Sequence, residues 1–324
     1  DPLADAYRRL PGFVDVAGQP PEQVAARIAA DGIDILVDLG GYTEGALPAI
    51  AAARPAPLQM AWLGLVGSMA AAFIDYQIVD AALVPPQLAG DFSEALLRLP
   101  GSFLPLAPVL PAGERGADRA EFGLPPGRLF ACFNNAYKID REVLRAWVAI
   151  VTPRDDAHLV LAVADEARAR LRAAWAALGG RAQQLLFVER LPAHAHMRRA
   201  AACDLFLDTF RYHAGATAAS ALRAGLPVLC RAGRLASARM GVSLNHALGL
   251  DELVVADSAA YVRRAGELAD DPDALAGVRT RLQSAMHGDA ADPVVFARRL
   301  ERGLRMAWEC HQRGEPPASF TLPQ

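Results

Sequence analysis

The chain has 324 residues, of which 53% are hydrophobic and 21% charged, and this balance excludes a disordered polypeptide. A chain of this length predicts two domains of roughly 150 residues each. The formal net charge of −3 gives no strongly basic surface, so we expect no nucleic-acid partner. The four cysteines have no paired spacing, which is typical of reduced thiols in a cytoplasmic protein rather than of a disulfide or zinc framework.

We expect neither a secretory signal nor a membrane span. The first residues show no basic start followed by an apolar core. Residues 57–74 carry no charge and reach the length of a short membrane span. Because they include Pro57, Gln59 and Gly64, we interpret them as a buried strand, a turn and the start of a helix. The strand–helix pattern is already under way near Asp1, which predicts that this sequence starts inside a longer chain.

The first third of the chain alternates predicted helices with short apolar strands. Residues 21–30 predict a helix, and the β-branched run after it ends at the pair Gly40-Gly41. Strands are predicted at residues 33–39, 58–63 and 76–79. Alternating helix, strand and glycine turn is typical of a parallel α/β sheet. We therefore predict a first lobe over residues 1–107.

A longer α/β series follows a proline- and glycine-rich linker, which we predict at residues 108–118. Its strands are predicted at residues 129–133, 158–163, 184–188, 204–207 and 228–230. Its helices are predicted at residues 140–151, 166–178, 195–202, 216–224, 236–248 and 292–311. We assign residues 119–324 to a second lobe with terminal helices. Two Rossmann-like lobes facing across a cleft predict a ligand at the carboxyl ends of the strands.

Lys138 is the only lysine in the chain, since the other 32 of the 33 basic residues are arginines. In a composition rich in alanine and arginine, typical of a GC-rich genome, a retained lysine indicates a role that a broad guanidinium does not fill. Lys138 follows a predicted strand end at Asn134-Asn135 and precedes a predicted helix, whose first turn offers unpaired N–H groups. Chance survival on a solvated face is the alternative interpretation.

A turn of small residues, Ala214-Gly215-Ala216-Thr217, enters another predicted helix. Backbone N–H groups and a threonine hydroxyl in such a turn can bind a phosphate, and the alternative is a capped helix without a ligand. We find no G-x-G-x-x-G after a strand, no Walker A sequence and no paired-cysteine metal site. His194 and His196 are two residues apart, on opposite sides of a helix start. We therefore expect no metal.

Five segments resemble the C-terminal catalytic region of the O-GlcNAc transferases, in particular of their bacterial members. The segments occur here in the same order as in that family. They are GYTEGA at 41–46, RPAPLQMAWLG at 54–64, FNNAYKID at 133–140, DLFLDT at 204–209 and LASAR at 235–239. Together with Trp308-Glu309 they span most of the chain. The resemblance implies a GT-B fold and an enzyme that transfers GlcNAc from UDP-GlcNAc to serine or threonine of an acceptor protein, with inversion and without a required metal.

The same resemblance implies roles for individual residues. Lys138 matches the lysine that neutralises the leaving phosphates, and Asp31 matches an acidic residue proposed as general base. His196 and Arg199 match basic residues near the base and ribose, and the Leu191 backbone matches a contact to uracil. The candidate donor-binding positions are Asn135, Tyr137, Leu191, His196, Arg199, His213, Gly215, Ala216, Thr217, Ser220 and Arg234. The candidate first-lobe loop positions are Tyr42, Thr43, Gly64 and Gly67.

The phosphate-binding turn departs from the family pattern. Where the family has His-Thr-Thr with an aspartate three residues on, this chain has Gly215, Ala216, Thr217 and Ser220. The family's Pro-Gly-Glu before Leu-Ala-Ser is replaced by a triplet that ends in Arg234. These losses weaken the expected contacts to a diphosphate and a ribose.

Three interpretations of the function stay open on the sequence. The first is a cytoplasmic protein O-glycosyltransferase that uses UDP-GlcNAc. The second keeps the fold and a protein acceptor such as flagellin, but uses a CMP-nonulosonic acid whose carboxylate would suit Arg234, with Arg211 and His213 nearby. The third is a non-catalytic module that has lost the donor site and binds a protein partner.

Overall fold

The computed structural model describes residues 2–106 and 118–323, so the predicted linker lies outside the described residues apart from Asp118. The helices are α1 (Pro2–Arg8), α2 (Pro21–Ala30), α3 (Pro48–Ala52), α4 (Arg141–Val151), α5 (Asp165–Ala177), α6 (Ala193–Ala201), α7 (Ala216–Arg223), α8 (Met240–Ala247), α9 (Ser258–Asp270), α10 (Pro272–Ala285) and α11 (Pro293–Gln312). The strands are β1 (Ile35–Asp38), β2 (Leu58–Ala61), β3 (Tyr76–Asp80), β4 (Ala95–Leu99), β5 (Arg128–Cys132), β6 (Ala157–Leu161), β7 (Leu185–Phe187), β8 (Leu205–Leu207), β9 (Val228–Arg231), β10 (Val254–Val255) and β11 (Phe320–Thr321). The chain is therefore of the α/β class, as predicted.

The first sheet has the strand order β1-β2-β3-β4-β11. β1 pairs with β2, β2 with β3, and β4 with β11, each in parallel register. Every residue of β2 and β3 is buried, which is the pattern of parallel strands covered on both faces. β1 lies at the edge and is half-buried along its length.

The second sheet has the strand order β10-β9-β8-β5-β6-β7, and its pairs are parallel. Counted from β5 along the chain, this is the doubly wound order 3-2-1-4-5-6, read from β7 to β10. From β5 the chain adds β6 and β7 on one side, and it then crosses over to add β8, β9 and β10 on the other side. In such sheets a ligand binds outside the carboxyl ends of the two strands at this switch point.

Side-chain caps and buried aromatic residues fix the helices that cover the second sheet. The Asp140 carboxylate accepts the Val143 N–H at 2.9 Å and so begins α4, and Asp257 begins α9 in the same way. Trp147 on α4 and Tyr261 on α9 are fully buried, and the Trp147 indole N–H lies 3.4 Å from the Tyr261 hydroxyl. The two helices lie side by side, with α4 against β6 and α9 against β9.

The chain divides into two compact units. The first comprises Asp1–Ile78, Phe92–Leu96 and Leu304–Ser319, and the second comprises Val79–Asp91, Leu97–Gly303 and Phe320–Gln324. This division groups residues by packing rather than by chain order. The predicted lobes, residues 1–107 and 119–324, stay a prediction.

The interpretation of residues 57–74 is confirmed for the strand and wrong for the helix. β2 ends at Ala61, and no helix follows before β3. Leu63 and Ala70 adopt positive φ angles of 79° and 49°, which an α-helix does not accommodate. The predicted helix at 236–248 also differs, since a 3₁₀ turn at Ala236–Ala238 precedes α8. Among the described residues, no helix is both long and apolar enough to cross a membrane.

Candidate functional site

The carboxyl ends of β5 and β8 are tied together by buried side chains at the switch point of the second sheet. The Asn134 amide N–H₂ donates to Asp208 Oδ1 and to Thr209 Oγ1, both at 2.9 Å. All three side chains are buried. Because a buried polar group is costly when it is left unpaired, this triad holds the two strand ends at a fixed distance.

Asp208 also organises the loop from β8 to α7. Its Oδ1 accepts the backbone N–H groups of Thr209 and Ala214, both at 2.9 Å. The Thr209 hydroxyl donates to the Tyr212 carbonyl at 2.6 Å. Burial raises the pKa of Asp208, whereas nearby His213 and these donors act in the opposite direction. The course of residues 208–214 is therefore set by hydrogen bonds inside the protein.

His213 belongs to this loop, and its ring is fully buried. Its Nδ1 accepts the Gly241 N–H at 3.2 Å and its Nε2 donates to the Arg231 carbonyl at 3.0 Å, so the ring is a neutral imidazole. Burial lowers the pKa of His213, in agreement with the neutral form. The prediction that this side chain contacts a donor is not supported, because both ring nitrogens already have partners. Its role here is to support the loop.

Lys138 ends the 3₁₀ turn Ala136–Lys138 that follows β5, and its ammonium turns toward the 208–214 loop. The Nζ atom donates to the His213 carbonyl at 2.8 Å and lies 3.8 Å from the ring centroid of Tyr212. Burial lowers the pKa of Lys138, while the Asp208 carboxylate and Cys132 act in the opposite direction. Within the described part of the chain, Lys138 forms no ion pair. Among the described residues, the direct contacts of its ammonium are a carbonyl dipole and an aromatic face, and the Asp208 carboxylate acts from beyond ion-pair distance.

The small-residue turn leads directly into α7. Gly215 is the N-cap residue and provides no side-chain cap, so the N–H groups of the first turn have no partner within the helix. A Cβ atom on Gly215 would lie 3.0 Å from Met240 Sδ, so the close packing of α8 favours glycine there. Ala216 is exposed, and Thr217 is half-buried. An uncapped helix start leaves N–H groups available to an anion, and the phosphate site at this turn stays a prediction.

A second group of predicted residues lies on α6 and in the segment just before it. Arg199 is 2% exposed, and its guanidinium donates to the Glu189 carbonyl at 2.6 Å and lies 5.3 Å from the Phe133 ring centroid. Burial, and then Arg199, lower the pKa of His196 to about 4. His196 Nδ1 lies 3.2 Å from Arg199 Nη2 and so acts as an acceptor in a neutral ring. The half-buried Leu191 stands just before this helix.

The remaining predicted donor-binding residues lie nearer the surface. Asn135 Oδ1 accepts from Arg190 Nη2 at 2.9 Å. Tyr137 is 72% exposed, and its ring centroid lies 6.4 Å from that of Tyr212. The Ser220 hydroxyl donates to the Ala216 carbonyl one turn earlier in α7, at 2.9 Å. Arg234 is exposed.

The predicted first-lobe positions group around one loop of the first unit. The Tyr42 hydroxyl donates to the Met69 carbonyl at 3.0 Å, and the Thr43 hydroxyl donates to the Gly40 carbonyl at 2.7 Å. A Cβ atom on Gly64 would lie 2.3 Å from the Leu39 carbonyl oxygen, so only glycine fits there. Gly67 has open space around it. Thr43 and Gly64 both contact the segment that follows β1.

Asp31 does not join that group. It is the C-cap residue of α2 and forms a salt bridge with Arg27, with 2.7 Å between Nε and Oδ2. It precedes β1, so it lies toward the amino end of that strand, whereas ligand sites of such sheets lie at the carboxyl ends. The structure therefore gives no support to Asp31 as a general base.

Sequence reasoning missed the Asn134, Asp208 and Thr209 triad and the ring of Tyr212. Asn134 and the Asp208-Thr209 pair stood in the recognised segments, but their contact joins two distant parts of the chain. In the described portion of the chain, no cluster of three or more His, Cys, Asp or Glu side chains could hold a metal ion. Metal independence stays a prediction.

The model of the family "Glycosyl transferase family 41" matches residues 7–105 and 112–292. A protein of Oryza sativa subsp. japonica, named "Probable UDP-N-acetylglucosamine–peptide N-acetylglucosaminyltransferase SPINDLY", is 34% identical over 313 residues, covering 94% of this chain and 33% of that protein. The chain thus spans about a third of the length of the curated relatives it matches.

Two solved structures are similar to this one. A variant of the Thermobaculum terrenum O-GlcNAc transferase has a TM-score of 0.88 and 28% identity, over 97% of this chain and 61% of that one. Anabaena HepE, solved with UDP and glucose, has a TM-score of 0.60 and 15% identity, over 89% of this chain and 84% of that one. These likenesses confirm the predicted GT-B fold class.

Proposed function

The chain belongs to glycosyl transferase family 41, and we propose that it transfers a sugar from a nucleotide-sugar donor to serine or threonine of an acceptor protein. The proposed donor is UDP-GlcNAc, because the rice relative is named as a UDP-N-acetylglucosamine–peptide transferase and the Thermobaculum terrenum neighbour as an O-GlcNAc transferase. The resemblance of the recognised segments to the O-GlcNAc transferases supports the same proposal. The reaction is proposed to invert the anomeric carbon, to need no metal and to take place in the cytoplasm.

The observation that carries this proposal is the environment of the Lys138 ammonium. Its contacts are the His213 carbonyl, 2.8 Å away, and the Tyr212 ring centroid, 3.8 Å away, and both groups are neutral. Among the described residues, no carboxylate lies within ion-pair distance of this ammonium. A positive charge that is partly removed from water and has no direct ion pair gains most from an anion that enters the site. Lys138 also lies beside the switch point of the sheet. In doubly wound sheets, nucleotide phosphates bind at such a point.

In the proposed reaction, an acceptor hydroxyl oxygen attacks the anomeric carbon of the donor. The bond from that carbon to the phosphate oxygen breaks, and its electron pair leaves with the nucleoside diphosphate. Lys138 and the first-turn N–H groups of α7 stabilise the negative charge that grows on the leaving phosphate. Such preorganised charge is typically worth several kcal/mol, roughly 3 kcal/mol for a single donor group. The proton that the hydroxyl loses on attack passes through water to an oxygen of the departing diphosphate, and we do not assign it to Asp31, which is paired with Arg27.

The CMP-nonulosonic acid interpretation loses the support of His213, because both ring nitrogens of this residue are engaged. Arg211 Nε lies 2.9 Å from the Asp140 carboxylate, and this pair is at the surface. Arg211 and Arg234 are both exposed. The structure offers no specific observation that favours this donor over UDP-GlcNAc.

Binding of nucleotides to the intact chain tests the proposal. UDP at a hundred times its dissociation constant is expected to stabilise the protein by about 2.7 kcal/mol, which a thermal-shift assay detects. CMP and GDP at equal concentrations are the matched controls. A stronger response to CMP would contradict the proposed donor. A protein that responds to none of the three, and that transfers no GlcNAc to a mixture of acceptor peptides, would be a non-catalytic module.

A further inference from the structure

The ammonium of Lys138 rests on an aromatic face where a carboxylate would be the commoner partner. The Tyr212 ring centroid lies 3.8 Å from Nζ, well within the range over which a ring attracts a cation. Burial raises the pKa of the Tyr212 hydroxyl, so the ring is a neutral phenol at ordinary pH. The attraction therefore comes from the ring face and involves no phenolate charge.

Tyr212 is itself held in place by the 208–214 loop. Its carbonyl accepts the Thr209 hydroxyl at 2.6 Å, and that hydroxyl accepts the Asn134 amide at 2.9 Å. The next residue, His213, donates its N–H to the Ser237 carbonyl at 2.8 Å and offers its own carbonyl to Lys138. The surface that receives the ammonium is thus preorganised by buried hydrogen bonds.

An aromatic face and a carboxylate have different consequences for a charge that must bind phosphate. A carboxylate would fix the lysine but would also neutralise it and compete with the incoming anion. A ring fixes the lysine by a weaker attraction that leaves its full charge for the ligand. Neighbouring arginines have other partners. Arg190 donates a hydrogen bond to the Asn135 side chain, and Arg170 donates one to the Ala136 carbonyl.

We propose that Tyr212 is a positioning residue that holds the Lys138 ammonium at the site for the donor phosphates without neutralising it. This inference rests on the proposed function for its catalytic consequence. It assigns to Tyr212 no contact with the reacting atoms. The side chain acts through Lys138 alone.

The single lysine makes this position directly observable. In protein labelled with ¹³C-lysine, Lys138 gives the only lysine Cε–Hε signal, and the ring current of Tyr212 should move its protons upfield of an ordinary lysine. Tyr212→Phe keeps the ring face and should leave the signal displaced. Tyr212→Leu and Tyr212→Met remove the ring and should return it to the ordinary position. A displaced signal in both aliphatic variants, with the fold confirmed by circular dichroism, would overturn the proposal.

Kinetics with the intact chain test the catalytic consequence. Tyr212→Phe should keep kcat within about twofold, whereas Tyr212→Leu should lower kcat by about tenfold or more with a smaller change in the donor KM, because Lys138 acts on developing charge. Tyr212→Glu should hold the lysine yet raise the donor KM, since a carboxylate competes with phosphate. Tyr7→Leu, at an exposed tyrosine in α1, is the matched control.

The two proposals fail in different ways. If no nucleotide sugar binds to the unaltered chain, the proposed function fails while the lysine signal still reports whether Tyr212 holds Lys138. If transfer occurs and Tyr212→Leu leaves both the signal and kcat unchanged, the positioning role fails while the proposed function stands.

Discussion

At the scale of single residues, the chemistry of the site depends on what surrounds each charge. The described direct contacts of the Lys138 ammonium, a carbonyl and an aromatic ring, are neutral, whereas Asp31 is paired with Arg27 and His213 is buried with both nitrogens bonded. A charge without an opposite partner is the one most able to bind a phosphate, so among these residues Lys138 carries the catalytic prediction.

Replacement of Lys138 by alanine removes the ammonium and leaves its two neutral contacts, the His213 carbonyl and the Tyr212 ring, in place. We expect kcat to fall by about two to three orders of magnitude, the usual cost of one preorganised donor to developing charge. Lys138→Arg keeps the charge on a broader group and should recover part of the rate. The control is Arg145→Ala, an exposed cation on α4. Full turnover by Lys138→Ala would remove the lysine from the mechanism.

His196 gives a pH prediction. Its pKa is lowered from 6.5 to about 4 in the folded protein, so the unfolded chain binds a proton first as the pH falls. Stability should therefore decrease from pH 6.5 toward pH 4, by about 1 to 2 kcal/mol between pH 7 and pH 5 from this residue. The free energy of unfolding of His196→Gln, measured with urea at pH 7 and pH 5, should fall by correspondingly less between the two pH values. His213 titrates in both proteins and cancels in the comparison.

At the scale of elements, the start of α7 offers backbone N–H groups, rather than side chains, to an anion. Its N-cap is Gly215, and the histidine and aspartate that the family places here are absent from positions 215 and 220. An uncapped helix start keeps its N–H groups available to an anion, so the loss of side chains does not by itself abolish phosphate binding.

Ala216→Asp tests this role by placing a negative charge in the first turn of α7. The change should stabilise the free protein slightly, by about 0.3 to 1 kcal/mol, since acidic residues favour helix N-termini. The same charge should repel the donor phosphates and weaken UDP binding by tenfold or more. Ala216→Asn is the neutral control of similar size. Isothermal titration with UDP and a melting curve of the free protein measure both effects, and equal affinities of the two variants would contradict an anion site at α7.

At the scale of the whole molecule, burial decides which of the cysteines can react. Three of the four cysteines, Cys132, Cys203 and Cys230, are fully buried, and only Cys310 is partly exposed. Burial raises the pKa of Cys203 to about 12 and raises those of Cys132 and Cys230 as well.

A thiol reagent at pH 8 should therefore label one cysteine per folded chain quickly, and four after unfolding in urea. Mass spectrometry of the labelled peptide should identify Cys310. Labelling of Cys230 at the same rate would show that the second sheet opens readily. No labelling after unfolding without a reductant would instead indicate disulfides and contradict the predicted reduced state.

Local patterns were enough to predict much of the fold. Apolar runs between helices placed β1, β2, β3 and the strands β5 to β9, because burial on both faces of a parallel sheet demands continuous apolar residues. The short strands β10 and β11 and the helices α9 and α10 were not predicted. The strand β4 and the short helices α1 and α3 were not predicted either. Two-residue strands have no detectable period. The helices α9 and α10 follow β9, which is the last strand that an apolar run predicted.

The sequence by itself determined the α/β class and the family resemblance and made one lysine the catalytic candidate, since all three depend on periodicity and residue identity. Only the tertiary structure decided which groups meet that lysine, because Tyr212 and His213 reach Lys138 from another strand end. It also paired Asp31 with Arg27 and buried the His213 ring. Partner choice and desolvation arise from contacts between distant segments, and these contacts have no local signature in the chain.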